Sequence, residues 1–417
     1  MRSLRTIVIG AGAIGLSAAY YLREAGAAVT VLDASEPGSK ASAHNAGWIV
    51  PSMSVPVPAP GMLPQALKWM MRRDSPLYVT PNLSPRFVGF MLEMLRNCTT
   101  ERFEAGLKVL AHLSSETLQL FDDLAADGVS FESHSDPLTM LYTHAGNLEK
   151  HAVELKTMEE YIPGFQWRAL ADKDLAAEFP NVSEGLAGGL QTLGDRSIDP
   201  ATLTSGLAGA CRRNGVEIRA GSGATLRIGD HGKTEVLVGR ETLKADRIVV
   251  AAGVWTNGIL AGIGDRVSLV AGKGYGYDLP LEGNAPKCPM YLAEAKVAVT
   301  PLNTKVRIAG TMGFGGIDER ISAVRAHGLI KSLPRYFKDW PPAVTPPQPW
   351  TGLRPMTPDG LPIIGASRKR PEVLIATGHA MLGVSLAPPT GKLIAELATG
   401  EAASRHLASL SATRFRL

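Results

Sequence analysis

Cysteine is scarce in this chain: three residues in 417, Cys98, Cys211 and Cys288, none at paired spacing from another. This excludes a disulfide framework and a cysteine metal site, and it predicts buried or free thiols in a reducing cytoplasm. Long apolar runs are missing too. With no stretch of about eighteen uninterrupted apolar residues, nothing in the chain is expected to span a bilayer. Charge of one sign is also absent: 43 Lys and Arg against 39 Asp and Glu leave a formal +4. Scattered as they are, these basic residues read as a solvated surface and give no support to a nucleic-acid partner. No paired carboxylates, Ser/His/Asp set or metal cluster stands out. What remains is ordinary for a soluble protein, 45% hydrophobic and 20% charged, and long enough for two or three domains.

The most informative stretch is the first 33 residues. Apolar Ile7, Val8 and Ile9 run into Gly10-Ala11-Gly12-Ala13-Ile14-Gly15; an alanine-rich segment follows to Gly26, and a second β-type run, Val29 to Leu32, ends at Asp33. The pattern predicts a strand, a tight glycine turn, a helix and a second parallel strand. Gly10 permits the turn, Gly12 lets a pyrophosphate approach the backbone at the helix N-terminus, and Gly15 lets helix and strand pack closely. Asp33 is placed to accept hydrogen bonds from a ribose. Arg2 and Arg5 before an apolar run superficially resemble a signal peptide, but the glycine turn accounts for that run better.

Beyond Asp33, the segment Ser39 to Trp48 is rich in small hydroxyl and amide residues, which suits either a helix start that approaches a ligand or a capped surface helix. Pro51 to Pro64 reads as an extended loop. Leu67, Trp69, Met70, Met71, Arg72 and Arg73 form a short amphipathic piece that could touch a membrane surface or cover a domain edge. Helical spacing runs from Arg102 to Leu124 and is expected to belong to something other than a nucleotide-binding half. Leu138 to Tyr142 reads as a strand. Asp199-Pro200 starts a further helix, with Leu203, Leu207 and Cys211 on one face, and strands follow at Val216 to Arg219, Val236 to Val238 and Ile248 to Ala251. Val297 to Thr300 and Val306 to Ala309 flank a hairpin turn. Trp350 to Gly365 reads as rigid and turn-rich, with one cation, Arg354. Val373 to Ala376 is a buried strand, and Gly378 to Ser385 a loop leading into a helix near Pro388 to Leu397 whose N-terminus could place positive partial charge beside an anionic ring system.

Three blocks, Gly10 to Asp33, Ala251 to Thr256 and Trp350 to Gly391, together resemble the FAD-dependent D-amino-acid oxidase superfamily, and order and spacing match across nearly the whole chain. Ser42 to Gly47, Pro51 to Met71, Lys273-Gly274-Tyr275 and Gly378-His379 followed by Leu382-Gly383 look most like its bacterial D-amino-acid dehydrogenase branch. The resemblance implies an α/β fold: a Rossmann-like FAD-binding domain (1–80, 191–265 and 346–417) with an inserted α+β substrate domain built on an antiparallel sheet (81–190 and 266–345). It implies FAD on Gly10, Gly12, Ala13, Ile14, Gly15 and Asp33, with further contacts from Ser42, Asn45, Ala46, Gly47, Ala224, Ala252, Gly253, Trp255, Gly378, His379, Leu382, Gly383 and Val384. Backbone N–H groups around Gly383 to Ser385 would stabilise negative charge developing near flavin N1 and O2.

Arg354 matches the arginine that pairs with the substrate carboxylate in this superfamily; His379 and Tyr275 complete the expected catalytic set, His379 for shaping the flavin loop and assisting with protons. The oxidases offer a tyrosine where this chain has Val297 and Ala298, so Tyr275 or Tyr291 would have to substitute. His44 stands where a related dimethylglycine dehydrogenase group carries covalent flavin, but its neighbours imply non-covalent FAD. The implied activity is hydride transfer from the α-carbon of a small D-amino acid to flavin N5, with D-proline or a hydroxy-D-proline as further substrates. Electrons would pass to a quinone or electron-transfer chain, in the cytoplasm or at a peripheral membrane contact. The rivals are a glycine or sarcosine oxidase and a flavin-carrying subunit of a hetero-oligomer; a flavoprotein acting in tRNA modification would need a basic patch that this chain lacks.

Overall fold

The computed structural model describes residues 3–61, 77–80, 82–162, 164–341, 346–401 and 407–415. Strand β1 (Arg5–Ile9) and β2 (Ala28–Leu32) lie parallel, joined by helix α1 (Ala13–Glu24). Gly10 turns the chain at φ +111°, and a Cβ on Gly15 would lie 1.8 Å from the Gly10 carbonyl oxygen, so strand and helix meet at a distance only glycine allows. This unit seeds a six-stranded sheet in the order Glu217–Arg219, β2, β1, Arg247–Val250, Val373–Thr377, Ile363–Ala366, parallel except for the last strand. A crossover at β1 leaves a crevice at the carboxyl ends of the strands, where α/β sheets bind nucleotides.

One face of the sheet is covered by α1, the helix Pro200–Arg213 and α2 (Ala387–Thr399). Asp199 caps the second of these by accepting from Ala201 N at 3.0 Å, and Leu203, Leu207 and Cys211 are fully buried along its inner face. The other face is covered by a small three-stranded sheet, whose Leu226 and Val236 pack with Ile7, Ile9, Ile248 and Val250. The segment Arg102–Leu124 breaks at Ser115-Glu116 into two helices, Thr100–Ser114 and Thr117–Ala126. Their apolar faces are not remote from the nucleotide half: Leu110, Phe121 and Leu124 share one buried cluster with Leu16, Leu207 and Ile394. Periodicity identified the buried face but could not say which layer would cover it.

A second, nine-stranded sheet is predominantly antiparallel. Its working end is β6 (Trp350–Met356), then β3 (Val270–Pro280), β5 (Lys305–Gly315) and β4 (Val297–Pro301), with β4 and β5 forming the expected hairpin. Tyr275, Tyr277, Val299 and Ile308 point to one face and pack under the helix Ala323–Ser332 and Trp340. The opposite face of β3 carries Gly272, Gly274 and Gly276.

Two local expectations need correction. Trp350 to Gly365 is turn-rich only in its second half, because residues 350–356 pair with β3 as a strand. Ser39 to Trp48 starts no helix: it is a series of turns bounded by Gly38 and Gly47, both at φ +76°, and the Asn45 amide takes the Ala41 carbonyl that a helix would have used. The amphipathic piece Leu67 to Arg73 lies outside the described residues. Among the described residues, no helix is long and apolar enough to cross a membrane.

Candidate active site

At the carboxyl end of β1 the predicted glycines meet the loop Ser42–Gly47. Ala13 N–H donates to Ser42 Oγ at 2.9 Å, the same oxygen lies 2.9 Å from the position a Cβ on Gly12 would take, and Gly38 N–H donates to Ala11 O at 2.9 Å. Gly12 N–H has no acceptor among the described residues, and as N-cap it offers no side chain of its own, while Ser42 Oγ takes the Ala13 N–H. A positive helix terminus with an unmet N–H of this kind suits a pyrophosphate. Asp33 accepts from Ala11 N–H at 2.6 Å and Ser35 N–H at 2.7 Å, so its carboxylate braces the glycine loop and keeps lone pairs for a ribose. Ala224 begins the strand just beyond, where Ser222 N–H donates to Asp33 O at 2.6 Å. Ala252, Gly253 and Trp255 follow the central strand Arg247–Val250; Gly253 O accepts from Thr256 and Thr377.

Strand β6 is bracketed by the two loops expected to flank a flavin. At its start, His44 stacks on Trp350 with ring centroids 5.4 Å apart, and a Cβ on Gly352 would lie 2.5 Å from the His44 carbonyl oxygen. At its end, Ala380 N–H donates to Pro355 O at 3.0 Å, and a Cβ on Gly378 would sit 2.6 Å from Thr357. Between these two contacts stands Arg354. Its guanidinium lies over Gly274, whose Cβ would come within 2.2 Å of Nη1, so the glycine face of β3 is what gives the cation room.

Arg354 donates to the Thr311 carbonyl at 2.9 Å and has no carboxylate partner among the described residues. Burial brings its pKa down to about 10, so it stays cationic at neutral pH. A desolvated, unpaired guanidinium is costly to maintain, and a carboxylate ligand would complete it. Thr311 sits in left-handed backbone (φ +63°) where β5 slips register against β3, and its Oγ1 is buried without a partner. Met312 and Met356 crowd the position a Cβ on Gly272 would take, giving the anchor an apolar flank.

The remaining predicted residues divide. Leu382, Gly383 and Val384 form the turn before α2, and the N–H groups of Gly383, Val384 and Ser385 have no acceptor among the described residues; Ser385 Oγ is buried and also without a partner. That unmet donor set fits the anionic edge of a flavin. His379 is buried, hydrogen-bonded to Thr390 at 3.0 Å, and held neutral because burial lowers its pKa to about 3. A neutral imidazole locked to Thr390 in this position fits loop shaping better than proton transfer. Asn45 spends its amide on Gly47 N–H and on Ser42 O, so it shapes its own loop, while Ala46 contributes a carbonyl that accepts from Thr300.

Tyr275 is not brought to the anchor. Strand alternation turns it to the other face of β3, where its hydroxyl meets that of Tyr78 at 3.3 Å. Tyr291 faces the nucleotide side, edge-on to Trp48 at 6.0 Å. Sequence reasoning missed Thr311 and Met312; no spacing signal marks a bulge. The alternation Gly272-x-Gly274-x-Gly276 was the one visible sign of a side-chain-free face.

The geometry has counterparts among known proteins. A family model described as FAD dependent oxidoreductase (DAO) matches residues 5–397. The chain is 34% identical to a D-amino acid dehydrogenase of Methylobacterium nodulans, across 99% of each chain. Its structure is similar to the crystal structure of glycine oxidase from Geobacillus kaustophilus, with a TM-score of 0.76, 21% identity and 100% of both chains covered. It is equally similar to that of iminodiacetate oxidase from Chelativorans sp. BNC1, at 0.76, 22% and 98% of both chains. At such identities the structural likeness is one of fold.

Proposed function

Because this chain belongs to the FAD dependent oxidoreductase family of the D-amino-acid oxidase type, an enzyme family whose cofactor is FAD, we propose that it oxidises a small D-amino acid to the imino acid, which hydrolyses to the 2-oxo acid. The observation that carries the proposal is Arg354, a half-buried cation with no carboxylate among the described residues, set between the two loops that would hold the flavin. The D-amino acid dehydrogenase names of relatives support the substrate class.

Bound FAD supplies a two-electron acceptor for the hydrogen on the substrate α-carbon. The protein does the positioning. Arg354 grips both carboxylate oxygens in a planar fork, which fixes the α-carbon and removes most of its rotational freedom. Met312 and Met356 exclude water from the side of the anchor. Gly12 and the N-terminus of α1 hold the pyrophosphate, Asp33 the ribose, and the N–H groups of Gly383 to Ser385 the pyrimidine edge. With His379 neutral and locked to Thr390, no protein base near the anchor is assigned; the amine binds deprotonated, and a secondary amine such as D-proline or a hydroxy-D-proline is accepted on the same terms. We further propose that FAD is held without a covalent bond, since His44 is occupied in stacking on Trp350, and that electrons leave to a quinone-type acceptor.

The test is anaerobic bleaching of the flavin in purified protein by paired D- and L-amino acids, proline and 4-hydroxyproline included, beside glycine and sarcosine. Bleaching by D-enantiomers supports the proposal. Bleaching by glycine or sarcosine alone replaces it with an oxidase of those substrates, and a flavin that none of them reduces removes the substrate class.

A further inference from the structure

The loop Ser42–Gly47 is tied to the second sheet through its carbonyl oxygens. Arg307 Nη1 donates to Ala43 O at 2.9 Å and to Asn45 O at 3.3 Å, and Thr300 Oγ1 donates to Ala46 O at 2.7 Å while accepting from Trp48 Nε1 at 2.8 Å. Arg307 is 3% exposed. Its other edge, Nε and Nη2, grips both oxygens of Asp278 at 2.8 Å each. Asp278 also accepts from Trp350 Nε1 at 3.2 Å and lies 3.3 Å from Lys305 Nζ. The guanidinium is 5.3 Å from the centre of the Trp350 ring, on which His44 of the same loop stacks.

These contacts form a closed circuit: from the loop carbonyls through Arg307 and Asp278 to Trp350, along β6 to Arg354. A guanidinium suits it because one planar fork can serve a carboxylate on one edge and two carbonyls on the other. An ammonium on a flexible stem offers a point charge instead. A buried ion pair of this kind is weak evidence of stability in itself, so its value must lie in what it orients.

We propose that Arg307 is a positioning residue that fixes the loop Ser42–Gly47 to the strand carrying Arg354, and so sets where the flavin ring lies relative to the substrate carboxylate anchor. The inference rests on the reading that this loop flanks the flavin. It goes beyond that reading in assigning the alignment to a residue that touches neither substrate nor the reacting atoms.

The variant to make is Arg307→Lys, compared with wild type as holoprotein. The visible circular dichroism of the flavin is expected to change and FAD affinity to fall about tenfold. The limiting rate of anaerobic flavin reduction should drop on the order of 10- to 100-fold, with substrate Kd moving less than about threefold. Unchanged dichroism and FAD affinity would overturn the proposal, even if the melting temperature fell, because that is the signature of a merely structural pair. Dichroism and FAD affinity need no substrate, so they still report if the D-amino acid reading fails. Should Arg307→Lys not fold, Thr300→Val removes only the Ala46 contact and the Trp48 acceptor; it must shift the same two flavin signals in the same direction, and no shift overturns the proposal.

Discussion

Arg354 is half-buried and His379 buried, and their environments suit them to opposite tasks. Arg354 keeps its charge and has no counter-ion among the described residues, whereas His379 loses its charge and gains Thr390. Arg354→Ala is therefore expected to retain yellow, FAD-loaded protein and to lower kcat/KM for carboxylate substrates by roughly 10³-fold, in keeping with a charge-assisted bidentate contact and the positioning it provides. Steady-state turnover beside the flavin spectrum checks it. For His379, the folded pKa of about 3 lies below the ordinary value near 6.5, so the unfolded chain binds the proton first on acidification. Its contribution to stability is complete above about pH 6.5 and lost as pH falls from there toward 3. His379→Asn should flatten that acid limb in melting temperature against pH; an unchanged slope would show that other groups dominate it.

At the scale of elements, β3 works by what it omits. Alternate glycines leave its inner face bare, and Arg354 lies in the space. Gly274→Ala would place a methyl 2.2 Å from Nη1, and since that contact is the far end of a flexible side chain the cation can shift. The expected result is a substrate Kd raised by about tenfold with FAD affinity unchanged, measured by stopped-flow flavin reduction. Gly15→Ala differs in kind. Its methyl would meet the Gly10 carbonyl oxygen at 1.8 Å, a backbone contact that cannot yield, so the variant should lose FAD and most of its folded yield on gel filtration with absorbance at 450 nm. Tyr275→Phe, on the other face of β3, should leave turnover within about twofold of wild type.

Across the whole molecule the site belongs to neither sheet alone. In the proposed site the nucleotide half would supply Gly12, Asp33 and the start of α2 and the second sheet Arg354, with the loops at His44 and Ala380 joining the two. Ligand that binds only the folded state stabilises it by mass action, about 2.7 kcal/mol at one hundred times Kd. Stripping the flavin should therefore lower the melting temperature by several degrees, and added FAD should restore it in proportion to the logarithm of its concentration. Calorimetry of apo and reconstituted protein is the measurement, and a melting temperature indifferent to FAD would place the cofactor outside the folding unit.

The sequence alone determined the nucleotide half, because its signals are local. Gly10, Gly12 and Gly15 act within one turn of chain and Asp199 caps its own helix; in the second sheet the hairpin around Asn303 was legible for the same reason, closing over a few residues. Arg354 was singled out through the family resemblance of its stretch, not by any local signal of its own. Tertiary structure decided the rest. Which face of β3 Tyr275 takes depends on pairing with strands far along the chain; the slip at Thr311 depends on where β5 meets β3; and the Arg307 circuit joins residues 264 positions apart. Such contacts follow from sheet register and from burial shared between distant segments, and neither leaves a periodic mark on the residues that make them.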